Sequence, residues 1–141
     1  MPASPKSDQL TPLHTPRGFG RIEADRILAE DDLYTVARDN YPVSSGHTLI
    51  IARRAVARFT DLTPEEKARL LHWTDWAVQH LQASLKPVPD GFNIGLNDGK
   101  AAGQTIPQLH MHVIPRYAGD VPDPRGGVRW VIPAKARYWV A

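Results

Sequence analysis

The sequence predicts an α+β fold, an antiparallel sheet of about five strands carrying one long helix and a short C-terminal extension. Three observations lead there. Thr63-Pro64-Glu65-Glu66 opens a single long stretch of helical apolar spacing. Five short segments with strand signals lie on either side of it, and no 10–15-residue helix alternates between strands as a parallel βαβ sheet would need.

Residues 1–18 contain Pro2, Pro5, Pro12 and Pro16 among Ser, Thr, Lys and Gln, with too few apolar groups to offset the entropy of ordering. They are expected to form a mobile leader, followed by one domain over 19–118. Arg26–Glu30 and Leu33–Ala37 flank an Asp31-Asp32 turn; the second reads as a strand, and the first fits either a strand or a helical turn. After the Pro42–Gly46 turn, Thr48–Ala52 is apolar on both faces, which predicts a central strand.

Thr63 as N-cap, Pro64 in the first turn and Glu66 three residues on form a capping box. Leu71, Thr74, Val78, Leu81 and Leu85 follow at helical spacing, and Lys86-Pro87 ends the helix. Gly91–Leu96 and Gln108–Ile114 supply the last two strands, and Pro115, which has no N–H for a ladder, is expected to stop the second. Residues 119–141 carry three Pro, three Gly and the aromatics Trp130, Tyr138 and Trp139. Such a segment is expected to dock on the body or on a second subunit.

Composition narrows the partners. The 141 residues contain no cysteine, which excludes disulfides and thiolate metal sites. No apolar run reaches signal-peptide length or the roughly 18 residues of a membrane span, so a cytoplasmic protein without a membrane partner is expected. Net charge is +2, with 17 Lys and Arg interspersed among 15 Asp and Glu. That balance suits a phosphate-bearing small ligand and argues against nucleic acid, which calls for a basic stripe.

The chemistry concentrates near the end of the domain. At a period of two, Gln108, His110 and His112 share one face of their strand, while Leu109, Met111 and Val113 share the other. Just before lies Asn97-Asp98-Gly99-Lys100-Ala101-Ala102-Gly103-Gln104, a glycine-punctuated loop whose backbone can approach a phosphate closely. A neutral imidazole is a nucleophile near pH 7, and phosphorus bound to its nitrogen remains open to displacement by water. Taken alone, His110 also fits a hydrogen-bonded core histidine, His112 and Asp39 solvated strand ends, and Asn97-Asp98-Gly99 a plain turn.

The ordered set Asp39, Pro42-x-x-x-Gly46-His47, Asn97-x-Gly99, Gly103-Gln104-Thr105 and His110-x-His112 resembles the histidine triad family of nucleotide hydrolases and transferases. Its motif is His-φ-His-φ-His-φ-φ with φ apolar, and this chain reads Gln108-Leu-His-Met-His-Val-Ile114. The likeness spans about residues 19 to 117. It implies that His110 is the nucleophile, steadied by the main-chain carbonyl of Gln108, and that His112 meets the phosphate and the bridging oxygen. It further implies that Asn97, Gly103, Gln104, Thr105 and Ile106 bind phosphate, and that Asp39 accepts from the ribose. Apolar faces of a Phe19–Ile27 strand would meet a purine. His47 would prop the site from behind, with Gln108 hydrogen-bonded to it. Relatives of the uridylyltransferase type have glutamine at the third motif position, so His112 leans toward hydrolysis.

Many bacterial relatives bind a structural zinc, and the resemblance places their ligands at Arg17, Gly20, His47 and Gln108. Only one of these four residues is a metal ligand, so neither metal nor cofactor is expected. Dinucleoside polyphosphates or nucleoside phosphoramidates are the implied substrates, purine nucleoside phosphates the implied ligands, and a homodimer across the sheet edge and helix the implied assembly. Two other functions remain open: a nucleotide sensor or partner protein with negligible turnover, and a metal protein on His47, His110 and His112. The second is disfavoured by the lack of a carboxylate or thiol at ligand spacing. Arg125 and Arg129 would either reach the distal phosphates or leave the extension a purely structural cover.

Overall fold

A computed structural model describes residues 18–139; the expected leader over residues 1–17, Arg17 included, and residues 140–141 lie outside it. Five strands form one sheet: β1 (Ile27–Glu30), β2 (Tyr34–Arg38), β3 (Thr48–Ala52), β4 (Gly91–Gly95) and β5 (His110–Arg116). Their order is β1-β2-β3-β5-β4, and every neighbouring pair is antiparallel. The α+β expectation holds, with β3 buried throughout at the centre.

Helix α1 (Pro64–Ser84) crosses one face of this sheet. Its start is fixed locally: the Thr63 hydroxyl accepts from the Glu66 N–H, and the Glu66 carboxylate accepts from the Thr63 N–H. Its buried face is Leu70, Trp73, Thr74, Ala77 and Leu81, whereas Leu71 is 68% exposed. Of the expected stripe, Thr74 and Leu81 are buried and Val78 and Leu85 pack against the core, so Leu71 alone is misplaced, its position taken by Leu70. With Leu70 and Leu71 both apolar, the ambiguity is broken by Trp73, whose large ring enters the core while its Nε1 donates to buried Asp31 at 2.7 Å.

The α1 side of the sheet holds the main core, including Tyr34, Val36, Ile50, Ala52, Leu109 and Val113. Leu49 and Ile51 face the other way, under Phe19 and Ile22. Because His112 pairs with Leu49 and His110 with Ile51, both imidazoles emerge on this second face. The fold thus separates core from chemistry by alternation alone.

Three local expectations are corrected. Phe19–Arg26 is loop and a 3₁₀ turn (Ala24–Arg26) rather than strand, so β1 starts at Ile27. Strand β2 runs to Arg38, one residue beyond Ala37. Strand β5 continues through Pro115 because pairing with β3 has already ended at Val113. Residue 115 turns its backbone toward that vacated side, where the Ser44 hydroxyl donates to its carbonyl at 2.8 Å. No ladder bond needs the missing N–H.

The C-terminal segment forms a small unit of its own, a 3₁₀ turn (Gly127–Val131) followed by α2 (Pro133–Ala136). Trp130 Nε1 donates to the Arg125 carbonyl, and the Arg129 guanidinium donates to the carbonyls of Ala136 and Lys135. Beside β4 and β5, this unit shares the lining of a cavity with Asn93, Ile114 and Arg116.

Candidate active site

His110 and His112 open into a cavity of about 500 Å³ whose lining also includes Asp39, His47, Asn97, Gly103, Thr105 and Ile106. Strand β5 supplies the histidines and β2 delivers Asp39. The turn between β2 and β3 delivers His47, pinned by Asp39 N–H to the His47 carbonyl at 2.9 Å and His47 N–H to the Ser44 carbonyl at 3.1 Å. Gly46 makes that turn possible, having φ +90° and so little room that an added Cβ would lie 2.7 Å from Leu85 Cδ1.

Hydrogen bonds fix the proton on each ring. His110 Nδ1 lies 2.8 Å from the Gln108 carbonyl, which can only accept, so Nδ1 carries the proton and Nε2 keeps a free lone pair. The Val43 N–H donates to His47 Nδ1 at 3.2 Å, which leaves the His47 proton on Nε2. His47 Nε2 lies 2.9 Å from His112 Nδ1 and donates to it, so neutral His112 carries its own proton on Nε2. One imidazole thereby keeps a free lone pair on Nε2 and its neighbour an N–H donor on Nε2.

The electrostatics agree. Burial, reinforced by the adjacent His110 and His47, pushes the His112 pKa down to about 4, so the ring is neutral at pH 7. Burial also lowers the His47 pKa, against the pull of the Asp39 carboxylate 3.5 Å from its Nε2. That contact is therefore between a carboxylate and a neutral ring. Phe19 packs edge-on against His110 with ring centres 4.8 Å apart.

Two residues of the expected site take other positions. Gln104 turns away from the histidines, its Oε1 accepting from Gly99 N–H at 2.9 Å and its Nε2 donating to the Ala57 carbonyl at 3.0 Å. The N–H groups of Gly103 and Gln104 are also spent inside the loop, on the carbonyls of Lys100 and Gly99. Thr105 and Ile106 line the cavity itself. Gln108 does not reach His47. Fully buried, it accepts from Phe19 N–H at 3.1 Å and donates to the Ala52 carbonyl at 2.7 Å. It lies just before β5, four positions and roughly 13 Å of extended chain from His112 and the His47 contact.

Gly18, Phe19 and Arg26 also line the cavity, as do Asn40, Tyr41, Val43 and Leu49, and the sequence reading did not assign these last four to the site. The period-two pattern that exposed the histidines places Leu49 across from His112, a usable signal once the β3–β5 register is known. Val43 acts through its backbone N–H, to which side-chain identity gives no clue.

A sequence profile of the HIT domain matches residues 21–119. The chain belongs to the HIT family. It is 35% identical over 99 residues to the AP-4-A phosphorylase of Mycobacterium tuberculosis (strain CDC 1551 / Oshkosh), an alignment covering 70% of this chain and 50% of that protein. It is 42% identical over 81 residues to the asymmetrical bis(5'-nucleosyl)-tetraphosphatase of Schizosaccharomyces pombe, covering 56% of this chain and 42% of the relative. The chain therefore spans about half the length of these curated relatives. Among solved structures, the NitFhit protein of Caenorhabditis elegans superposes with a TM-score of 0.68 at 34% identity, covering 83% of this chain and 27% of that one.

The zinc ligands implied by resemblance do not fit this HIT domain, since Gln108 is committed to Phe19 and Ala52, far along the strand from His47. A different triplet, Asp39, His47 and His112, does bring a carboxylate beside two imidazoles, with donor atoms within 4.8 Å of one another. This overturns the expectation that no carboxylate lies near. The tautomers nevertheless oppose an ion there: metal on His47 Nε2 would move its proton to Nδ1, against the Val43 N–H donor. A hydrogen-bond relay accounts for the same atoms.

Proposed function

We propose that this HIT domain is a nucleotide hydrolase or nucleotidyl transferase working through a nucleotidyl-His110 intermediate, on dinucleoside polyphosphates or nucleoside phosphoramidates. The observation that carries the reading is the pair of opposed tautomers, a free lone pair on His110 beside an N–H donor on His112. Asp39 receives the ribose hydroxyls, while Asn97, Thr105 and Ile106 border the phosphates. Relatives named as a phosphorylase and a tetraphosphatase for such substrates support the class.

In the first step the His110 Nε2 lone pair attacks the α-phosphorus, forming a P–N bond as the bond to the bridging oxygen or nitrogen breaks. The electron pair leaves with the departing group, whose developing charge accepts a hydrogen bond from His112 Nε2; a phosphate leaves as its anion, and an amine takes its proton from solvent. In the second step water, or another phosphate acceptor, displaces His110 and releases the nucleotide, the proton of the attacking water passing to solvent. Metal is not needed to make this nucleophile, because the Gln108 carbonyl already orients it.

We further propose that the protein works as a homodimer, without nucleic acid as a partner. Among the described residues β4 pairs with β5 alone, so its outer edge offers backbone groups to a second copy.

Product analysis against a panel of dinucleoside polyphosphates and adenosine phosphoramidate tests the reading. Release of nucleoside monophosphate, or of nucleoside diphosphate when inorganic phosphate is the acceptor, is expected. Tight binding of the same compounds without any product would instead make the chain a nucleotide sensor.

A further inference from the structure

A second cavity, of about 760 Å³, lies beside the first and shares Gly103 and Thr105 with it as a common wall. Its other lining residues are Ala57, Arg58, Gly99, Lys100, Gln104 and Pro107. We propose that this cavity binds the leaving nucleotide of a dinucleoside polyphosphate, with Lys100 as the residue that selects two-ended substrates. The inference rests on the nucleotide reading of the His110 site and names its substrate class.

Four observations carry it. One cavity of a few hundred Å³ suits a single small ligand, whereas a dinucleoside polyphosphate is two nucleotides joined by phosphates and needs a second space in continuity with the first. The shared wall is low where the phosphates must cross, because Gly103 has no side chain and the nearest atom to an added Cβ is Asn97 Nδ2 at 3.9 Å.

The charge is right. Arg58 is paired with Asp98 at 3.0 Å, but Lys100 has no carboxylate within ion-pair reach among the described residues. Arg58 is answered by Asp98 and also feels Asp61, so Lys100 is the cation left to meet phosphate oxygens, and Ala57 and Pro107 offer apolar surface to a base.

The cavity is also preformed. Both ends of the Gln104 amide tie the glycine-rich loop down, to Gly99 N–H and the Ala57 carbonyl, which explains why that side chain faces away from the histidines. The cavity beside the C-terminal segment, by contrast, shares no lining residue with the His110 site. Its arginine, Arg116, is bonded to Asp120 and Asn93.

The test uses the full chain carrying His110→Asn, so that ligands bind without turnover, with Lys100 intact or changed to Glu. Calorimetry would measure AMP and diadenosine tetraphosphate on both proteins. With Lys100 intact, the tetraphosphate should bind more tightly than AMP. Charge reversal should weaken the tetraphosphate about tenfold while AMP changes less than twofold. Equal effects on both ligands, or a tetraphosphate no tighter than AMP at the outset, would overturn the second subsite and leave the nucleotide reading standing. Failure of the protein with Lys100 intact to bind AMP would instead overturn the nucleotide reading, and the subsite with it.

Discussion

At the scale of single residues, the relay from Val43 through His47 to His112 makes the site's behaviour depend on a neutral ring. His112 should therefore titrate with a midpoint near 4, read from its Cε1–H resonance by NMR; a midpoint above 6 would contradict the relay. The sign for stability follows, since a folded pKa below the ordinary 6.5 means that the unfolded chain binds this proton first. The contribution is complete above about pH 6.5 and is lost as pH falls toward 4. Replacing His112 with Ala should slow turnover by roughly 10²–10³, the scale for removing one charge-stabilising donor. A rate within threefold of the parent would show that His112 is not that donor.

At the scale of elements, the β1–β2 turn is bolted to α1 through Asp31. This carboxylate accepts from the N–H groups of Leu33 and Tyr34, from Trp73 Nε1 and from Arg69, all within 2.8 Å. Burial opposes its ionisation, yet those donors outweigh burial and hold its pKa below the ordinary carboxylate value. Its stabilising effect is therefore present above the unfolded pKa near 3.8 and disappears as acid protonates the folded form. Asp31→Asn should cost about 2–3 kcal/mol at pH 7, the usual scale for breaking a buried pair reduced because Arg69 is partly solvated. Urea unfolding at pH 7 and pH 3 checks both points: the deficit should shrink at pH 3, and a constant deficit would deny the ion pair its role.

The same elements show what the chain discloses about itself. The capping box was legible because its donors and acceptors sit three residues apart, and the histidine face of β5 because alternation is local. The choice of Leu70 over Leu71 at the start of the helix's apolar stripe was not, since the two are equivalent until Trp73 meets Asp31 across 42 residues. His47 and His112 are 65 residues apart, so no spacing rule reveals that one orders the other. The turn of Gln104 away from the histidines likewise depends on Ala57, 47 residues earlier.

At the scale of the whole molecule, the sheet divides labour: α1 seals one face and the other carries the histidines, with cavities spread along it. Of the two readings of the C-terminal segment, phosphate contact through Arg125 and Arg129 or structural cover, the pairing favours the second: Arg125 is paired with Asp123 and lies over Trp139, while Arg129 binds its own segment's carbonyls. Truncation after Val121, which keeps the Arg116–Asp120 pair, should therefore leave the ratio of kcat/KM for diadenosine tetraphosphate over adenosine phosphoramidate unchanged within twofold. A selective loss for the tetraphosphate would place the segment in substrate handling after all.

The central claim is covalent: a nucleotide passes through His110 Nε2. Rapid mixing with diadenosine tetraphosphate, quenching under conditions that preserve a P–N bond and peptide mass spectrometry should find adenylate on His110. The same experiment on His110→Asn should find none, with turnover reduced by several orders of magnitude. Adenylate on another residue, or a variant that still turns substrate over at the parent rate, would contradict the account.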